Sequence, residues 1–259
     1  MTKKIHIKDS LHPTLGKFVN RIADEGIPSD AVEIYRGRNR VVVCEIADFA
    51  EQPMRVNIKE FRVPHLLNRF IYSTFRKSKA RRAFEHAVEL HRLGITTPEP
   101  YAWIELRESF GLLGKSYFVS RQFDGWREIR EAESRNLPDL DDVCLNLGKL
   151  LLKFHLLGIW MKDASPGNFL WRRNENGEIE FAVVDINRMA FGVSSYDKLM
   201  SNFGRLFEQP ENILKTARGY AIAANVDEHT VIKKAREQIE RAERLKKKKR
   251  RFKALLNKR

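Results

Sequence analysis

The stretch IWMKDASPGNFLW, Ile159 to Trp171, places an aspartate, a Pro-Gly turn and an asparagine between two apolar flanks. Asp163 and Asn168 stand five residues apart. Such a pair either forms an ordinary polar turn or holds a metal ion and a reacting hydroxyl, and its surroundings have to decide. Upstream, LDDVCLNLGKLLLKFHLLGI carries Val143, Leu147, Leu150, Phe154 and Leu157 at alternating spacings of four and three. That is one apolar face of a helix, with Asp139 or Asp141 near its start and Gly158 at its end. Downstream, NFLWRR and EIEFAVVDI read as two strands joined by NENG, whose Asn-Gly favours a hairpin. Asp185 ends the second apolar run.

The N-terminal half reads differently. AVEIYRG and RVVVCEIA are β-rich runs joined by RGRN, and MRVNIKEFRV follows as a further strand carrying Lys59. KARRAFEHAVELHRLGI puts Ala80, Phe84, Ala87 and His91 on one helical face and stops at Gly94. TPEPYAWIEL and GKSYFVSRQF add two strands. The predicted architecture is α+β: residues 1–125 form a small antiparallel-sheet lobe of five strands and one helix. Residues 126–228 form a mainly helical lobe, and 229–259 a basic helix or tail that starts after an Asp227 cap.

Composition narrows the function classes. Hydrophobic residues make up 42% and aromatics 10% of the 259 residues, which suits a globular chain. Cys44 and Cys144 are far apart and show no metal-ligand spacing, so reduced thiols and a cytosolic setting are expected. The opening MTKKIHIKDS lacks the apolar core of a signal peptide, and no apolar run is long enough to span a membrane. Residues 229–259 carry +11 of the net charge of +14. That asymmetry points to an anionic partner.

Lys59 on a strand, Glu85 on the next helix, the Asp163–Asn168 loop and strand-end Asp185 follow one another in the order of phosphoryl-transfer groups in protein-kinase-like folds. Glu89, one helical turn on, competes with Glu85. Phosphoryl transfer asks for positioning and charge neutralisation rather than covalent work by the protein. A lysine can contact the α- and β-phosphates, and a helix glutamate can restrain it. Mg²⁺ needs hard oxygen ligands, which Asp185 and Asn168 supply. Asp163 is left to accept the proton of the attacking hydroxyl.

MKDASPGNFL and FAVVDINRMAFG, supported by NIKEF and KARRAFEHAVELHRLGITTPEP, resemble the bacterial lipopolysaccharide core (Kdo/heptose) kinase group of the protein-kinase-like superfamily. The resemblance covers roughly residues 30–210. It implies a two-lobed fold and ATP-dependent phosphorylation of a sugar hydroxyl on lipid A-linked core, at the cytoplasmic face of the inner membrane. It also implies ATP contact by Lys59, pairing of Lys59 with Glu85, Asp163 as base, and Mg²⁺ on Asn168 and Asp185. Three positions depart from the pattern. Met161 stands where a histidine usually precedes the catalytic aspartate. The glycine-rich nucleotide loop is reduced to YRGRNRVV with Gly37 alone, leaving Arg36, Arg38 or Asn39 to assist. Asn187 replaces the glycine of the metal motif.

Ser165 stands two residues after Asp163, where protein Ser/Thr kinases commonly carry lysine, and no Ala-Pro-Glu-like segment follows Asp185. A carbohydrate or small acceptor therefore fits better than a protein. The segment from Arg62 to Arg82 interleaves Leu66, Leu67, Phe70, Ile71, Tyr72 and Phe75 with cations. It and the basic C-terminal tail are expected to meet an anionic membrane surface. No RNA-binding module is recognised, so no nucleic-acid partner is expected. The rival readings are a RIO-like or small-molecule kinase, and a pseudokinase using its basic tail as an anchor or RNA-binding arm.

Overall fold

The computed structural model describes residues 2–46, 53–65, 69, 71, 72 and 76–256. The chain forms two compact units, one of residues 1–124 with 185–187, the other of 125–184 with 188–259.

The first unit is built on an antiparallel sheet in the order β1-β5-β6-β4-β3-β2. Its strands are β1 (Thr2–Ile7), β2 (Val32–Arg36), β3 (Arg40–Ile46), β4 (Met54–Phe61), β5 (Pro100–Arg107) and β6 (Leu113–Arg121). Alternation decides which side chains meet. Val56 and Ile58 of β4 join Val42 and Cys44 of β3, Ile104 of β5 and Val119 of β6 in one apolar layer. Helix α1 (Pro13–Glu25) seals that layer with Leu15, Val19 and Ile22. Lys59, one residue on, lies on the opposite side of the strand. There helix α2 (Lys79–Arg92) buries Ala80, Ala83, Phe84, Ala87 and Leu90. The Phe84 ring packs edge-on to His6, which stacks on Trp103. His91, expected on the inner face of α2, is exposed, and Leu90 takes the buried position.

Both β1 and α1 are additions to the expected five strands and one helix. β1 sits at the sheet edge, paired in register Ile5 to Ile104. Of the segment from Arg62 to Arg82, residues 66–68, 70 and 73–75 lie outside the described residues, and with them Leu66, Leu67, Phe70 and Phe75. Ser78 caps α2 by accepting from Arg81 N at 3.1 Å.

The second unit is mainly helical: α3 (Ile129–Ser134), α4 (Leu140–Leu156), α5 (Tyr196–Met200), α6 (Pro210–Ala224) and α7 (Glu228–Leu256). Helix α4 buries Val143, Leu147, Leu151 and Phe154. Its contact with α6 is unusually close, because Gly148 faces the backbone of Thr216 and Tyr220 while Gly219 faces the Leu145 carbonyl. A Cβ at either glycine would enter that backbone. Asp139 does not cap α4 with its side chain but accepts from Arg173 Nε at 3.0 Å, joining the helix to the hairpin. Glu133 of α3 accepts from the Glu208 and Gln209 amides at 2.9 and 2.8 Å and from Asn212 Nδ2 at 3.0 Å, which caps the start of α6. Asp227 accepts from Thr230 N at 2.8 Å and so caps α7, as its position in the sequence predicts.

Three short strands form the second unit's larger sheet, β7 (Arg127–Glu128), β9 (Phe169–Arg173) and β10 (Ile179–Val183), in the order β10-β9-β7. The smaller pair is β8 (Trp160–Met161) with β11 (Met189–Ala190). Cys44 and Cys144 are free and buried, and burial pushes their thiols up to about 11 and about 12.

Candidate active site

In the first unit, Lys59 Nζ lies 2.5 Å from Asp185 Oδ1, joining residues 126 positions apart. Both side chains are largely shielded, 18% and 25% exposed. The same oxygen accepts from Asn187 Nδ2 at 2.6 Å. Asp185 adopts a left-handed backbone, φ 53°. That conformation is uncommon outside glycine, though aspartate and asparagine tolerate it best. It is held from the next residue: His86 Nδ1 is 2.7 Å from the Ile186 carbonyl oxygen. A carbonyl can only accept, so Nδ1 carries the proton. Burial, followed by the charge of Arg82, lowers the His86 pKa, and the bond to Ile186 opposes the shift.

Glu85 is not the partner of Lys59 here. It accepts from Lys77 Nζ at 2.8 Å and from Arg81 Nε at 2.9 Å. Arg81 is four residues back on the same helix, so this pairing needs no long-range positioning. Burial pushes the Glu85 carboxyl up, but the hydrogen bonds from Lys77 and Arg81 and their charges outweigh it and hold the group low. Glu89, the competing candidate, pairs with Arg92.

Gly37 turns the β2–β3 hairpin, its amide donating to the Asn39 carbonyl at 3.0 Å. Arg36 and Arg40 both donate to Glu33, whose carboxyl they hold down at about 2. Among the described residues Arg38 is the hairpin cation without a carboxylate partner.

The Asp163–Asn168 loop belongs to the second unit and is tied to itself. The Asp163 carbonyl accepts from Ser165 N at 2.9 Å and from Asn168 Nδ2 at 2.8 Å. The amide nitrogen of Asn168 is engaged in that bond, and among the described residues its Oδ1, a hard oxygen of the kind Mg²⁺ takes, accepts no hydrogen bond. The Asn168 carbonyl accepts from Val184 N at 3.0 Å, fixing the loop to the residue that precedes Asp185. Arg188 Nη1 is 3.7 Å from Asp163 Oδ2, and the Arg188 carbonyl accepts from Lys162 N at 3.3 Å. Among the described residues no group of three or more His, Cys, Asp and Glu side chains could hold a metal.

Met161 is buried, and it holds its place by its backbone rather than by a polar side chain. Its carbonyl accepts from Asn202 Nδ2 at 2.6 Å. A buried amide from another helix thus supports the loop at the position where Met161 departs from the usual histidine. Gly167 has Arg130 and Glu128 directly over its Cα, where a Cβ would collide with the guanidinium. His86, Asn202, Arg130 and Arg188 were not singled out from sequence. Only Asn202, a polar residue inside the apolar LMSNF run, left a mark there.

The profile of the lipopolysaccharide kinase (Kdo/WaaP) family matches residues 37–217. Among solved structures, WaaP in complex with acyl carrier protein superposes with a TM-score of 0.58 at 13% identity, covering 95% of this chain and 98% of that one. The Rio2 kinase–ADP/Mg²⁺–phosphoaspartate complex from Chaetomium thermophilum gives 0.48 at 14% identity, over 90% and 75% of the two chains. Comparison with curated sequences returns no match. The fold is therefore the α+β kinase-like one, with an antiparallel sheet in the N-terminal part and helices in the C-terminal part.

Proposed function

The chain belongs to the lipopolysaccharide kinase (Kdo/WaaP) family, and from that premise we propose that it transfers the γ-phosphoryl group of ATP to a sugar hydroxyl, of Kdo or heptose, on the lipopolysaccharide inner core. The observation that carries the reading is the shielded contact of Lys59 with Asp185. Two oppositely charged groups from distant parts of the chain are kept together where a phosphate chain and its cation would each replace the partner.

Lys59 binds the ATP phosphates, and Asp185 with Asn168 supplies oxygen ligands to Mg²⁺. The bound cation neutralises charge on the phosphates. With Mg²⁺ held by Asp185, Lys59 would be available to the phosphates, and Glu85 would restrain it in exchange for Lys77 or Arg81. Gly37 lets the hairpin backbone approach the nucleotide, with Arg38 beside it. Asp163 orients the acceptor hydroxyl and takes its proton during attack. The acceptor is lipid-linked, so the enzyme works at the cytoplasmic face of the inner membrane. The segment from Arg62 to Arg82 and the basic C-terminal residues face anionic headgroups. Among the described residues no helix is long and apolar enough to cross a membrane.

Mass spectrometry of lipopolysaccharide from cells with and without the gene tests the reading. Core species from the deletion strain should be lighter by one phosphate and be restored by the wild-type gene but not by Asp163→Asn. An unchanged core would overturn it.

A further inference from the structure

Helix α7 runs from Glu228 to Leu256, but only its first half is packed. Val231, Ala235 and Gln238 are buried, and Gln238 and Ala242 close over Gly204. From residue 243 onward every described side chain is exposed. At 1.5 Å per residue the segment 243–256 extends about 21 Å. It holds seven cations between residues 244 and 251, and among the described residues none of 246–251 has an ion-pair partner. Like charges three and four apart destabilise a helix by tenths of a kcal/mol each, and a stretch this short is marginal on its own.

Two large apolar side chains interrupt the charge. Leu245 is 52% and Phe252 65% exposed. They are seven residues apart and lie on one face of the helix, one above the other. A solvated spacer has no need of them, and a helix that binds a polyanion through charge alone gains nothing from them. An apolar line flanked by lysines on both sides fits a headgroup boundary, where the line enters the acyl region and the cations meet phosphates.

We propose that residues 243–256 form an in-plane interfacial helix that inserts Leu245 and Phe252 into an anionic lipid surface. The proposal rests on the lipid-linked acceptor read above and adds its mode of attachment. Cations alone would give a contact that salt abolishes, whereas the inserted pair gives one that partly survives salt. The surface also supplies the counter-charge that the exposed helix lacks.

The test is co-sedimentation of the full chain with phosphatidylglycerol–phosphatidylethanolamine vesicles and with phosphatidylcholine vesicles. Phosphoryl transfer to delipidated core oligosaccharide is measured on the same samples. Wild type should partition onto the anionic vesicles only. Leu245→Gln with Phe252→Gln should weaken partitioning by roughly tenfold or more, with transfer to the soluble oligosaccharide unchanged. Phe252→Trp should bind like wild type and show added quenching by brominated lipid. Three results would overturn the proposal: no vesicle binding by wild type, a double variant that binds as wild type does, or single-stranded RNA displacing the vesicles. Vesicle binding without any transfer to the oligosaccharide would instead sink the kinase reading and leave the inserted helix standing.

Discussion

At the scale of single residues, the site is a set of charges held by neighbours that were chosen for geometry. Lys59 and Asp185 restrain each other, and His86 fixes the backbone one residue beyond Asp185. Replacing His86 by alanine removes a donor to a shielded carbonyl and loosens a left-handed aspartate. The Mg²⁺ concentration for half-maximal activity should rise about three- to tenfold, the equivalent of one ordinary hydrogen bond. His86→Asn, which keeps an N–H at the same reach, should recover most of the loss. Titrating Mg²⁺ at saturating ATP checks both variants, and an unchanged Mg²⁺ requirement in His86→Ala would remove the positioning role. The turn that joins Asp163 to Asn168 was legible in the sequence because it is local, five residues within one loop closed on the Asp163 carbonyl. His86 was not, because its partner is a main-chain carbonyl 100 residues away, and a carbonyl leaves no residue-type signature. Glu85 was legible as a charged position but not as a pairing. Arg81, on the same helix, competes for it at no cost in chain closure.

At the scale of elements, helix α4 bears on the site through the loop that follows it, and its packing makes two predictions. Gly148→Ala should cost on the order of 1–3 kcal/mol, because the added methyl enters the α6 backbone and the helices have to part. Urea unfolding measures it as a lower midpoint. His155, also on α4, is buried beside Tyr220, 3.2 Å from its hydroxyl. Burial takes its pKa down from 6.5 to about 4, against weaker opposition from Asn202 and the Leu199 backbone. The unfolded chain therefore binds a proton between pH 6.5 and 4 that the folded chain refuses, and stability falls with pH across that window. The loss should be about 3 kcal/mol. His155→Phe should flatten that part of a melting-temperature profile, whereas a wild-type slope in the variant would assign the loss to other groups. The α4 face was readable because its period is sustained over four turns. Strand β1 was not. It is an edge strand with Thr2, Lys3 and Lys4 exposed, so it lacks the apolar alternation that marks a strand. Helix α1 buries only Leu15, Val19, Ile22 and Ala23, and a glycine near its start further weakens the pattern.

At the scale of the whole molecule, charge is segregated: 229–259 holds most of the excess and the remainder is nearly balanced. The sequence shows that imbalance directly but not that the last basic stretch continues a packed helix, since packing ends only where α7 passes Ala242. Binding to anionic vesicles should weaken as salt rises from 0.05 to about 0.5 M, as the Debye length falls severalfold. A plot of partitioning against salt reads that dependence. The most direct measurement of the central claim is transfer of label from γ-labelled ATP to purified core oligosaccharide in the presence of Mg²⁺, for wild type beside Asp163→Asn and Lys59→Ala. Phosphoryl transfer by this site predicts a labelled sugar with wild type and a loss of about a hundredfold or more in each variant. Incorporation that both variants retain, or none with wild type, would contradict it.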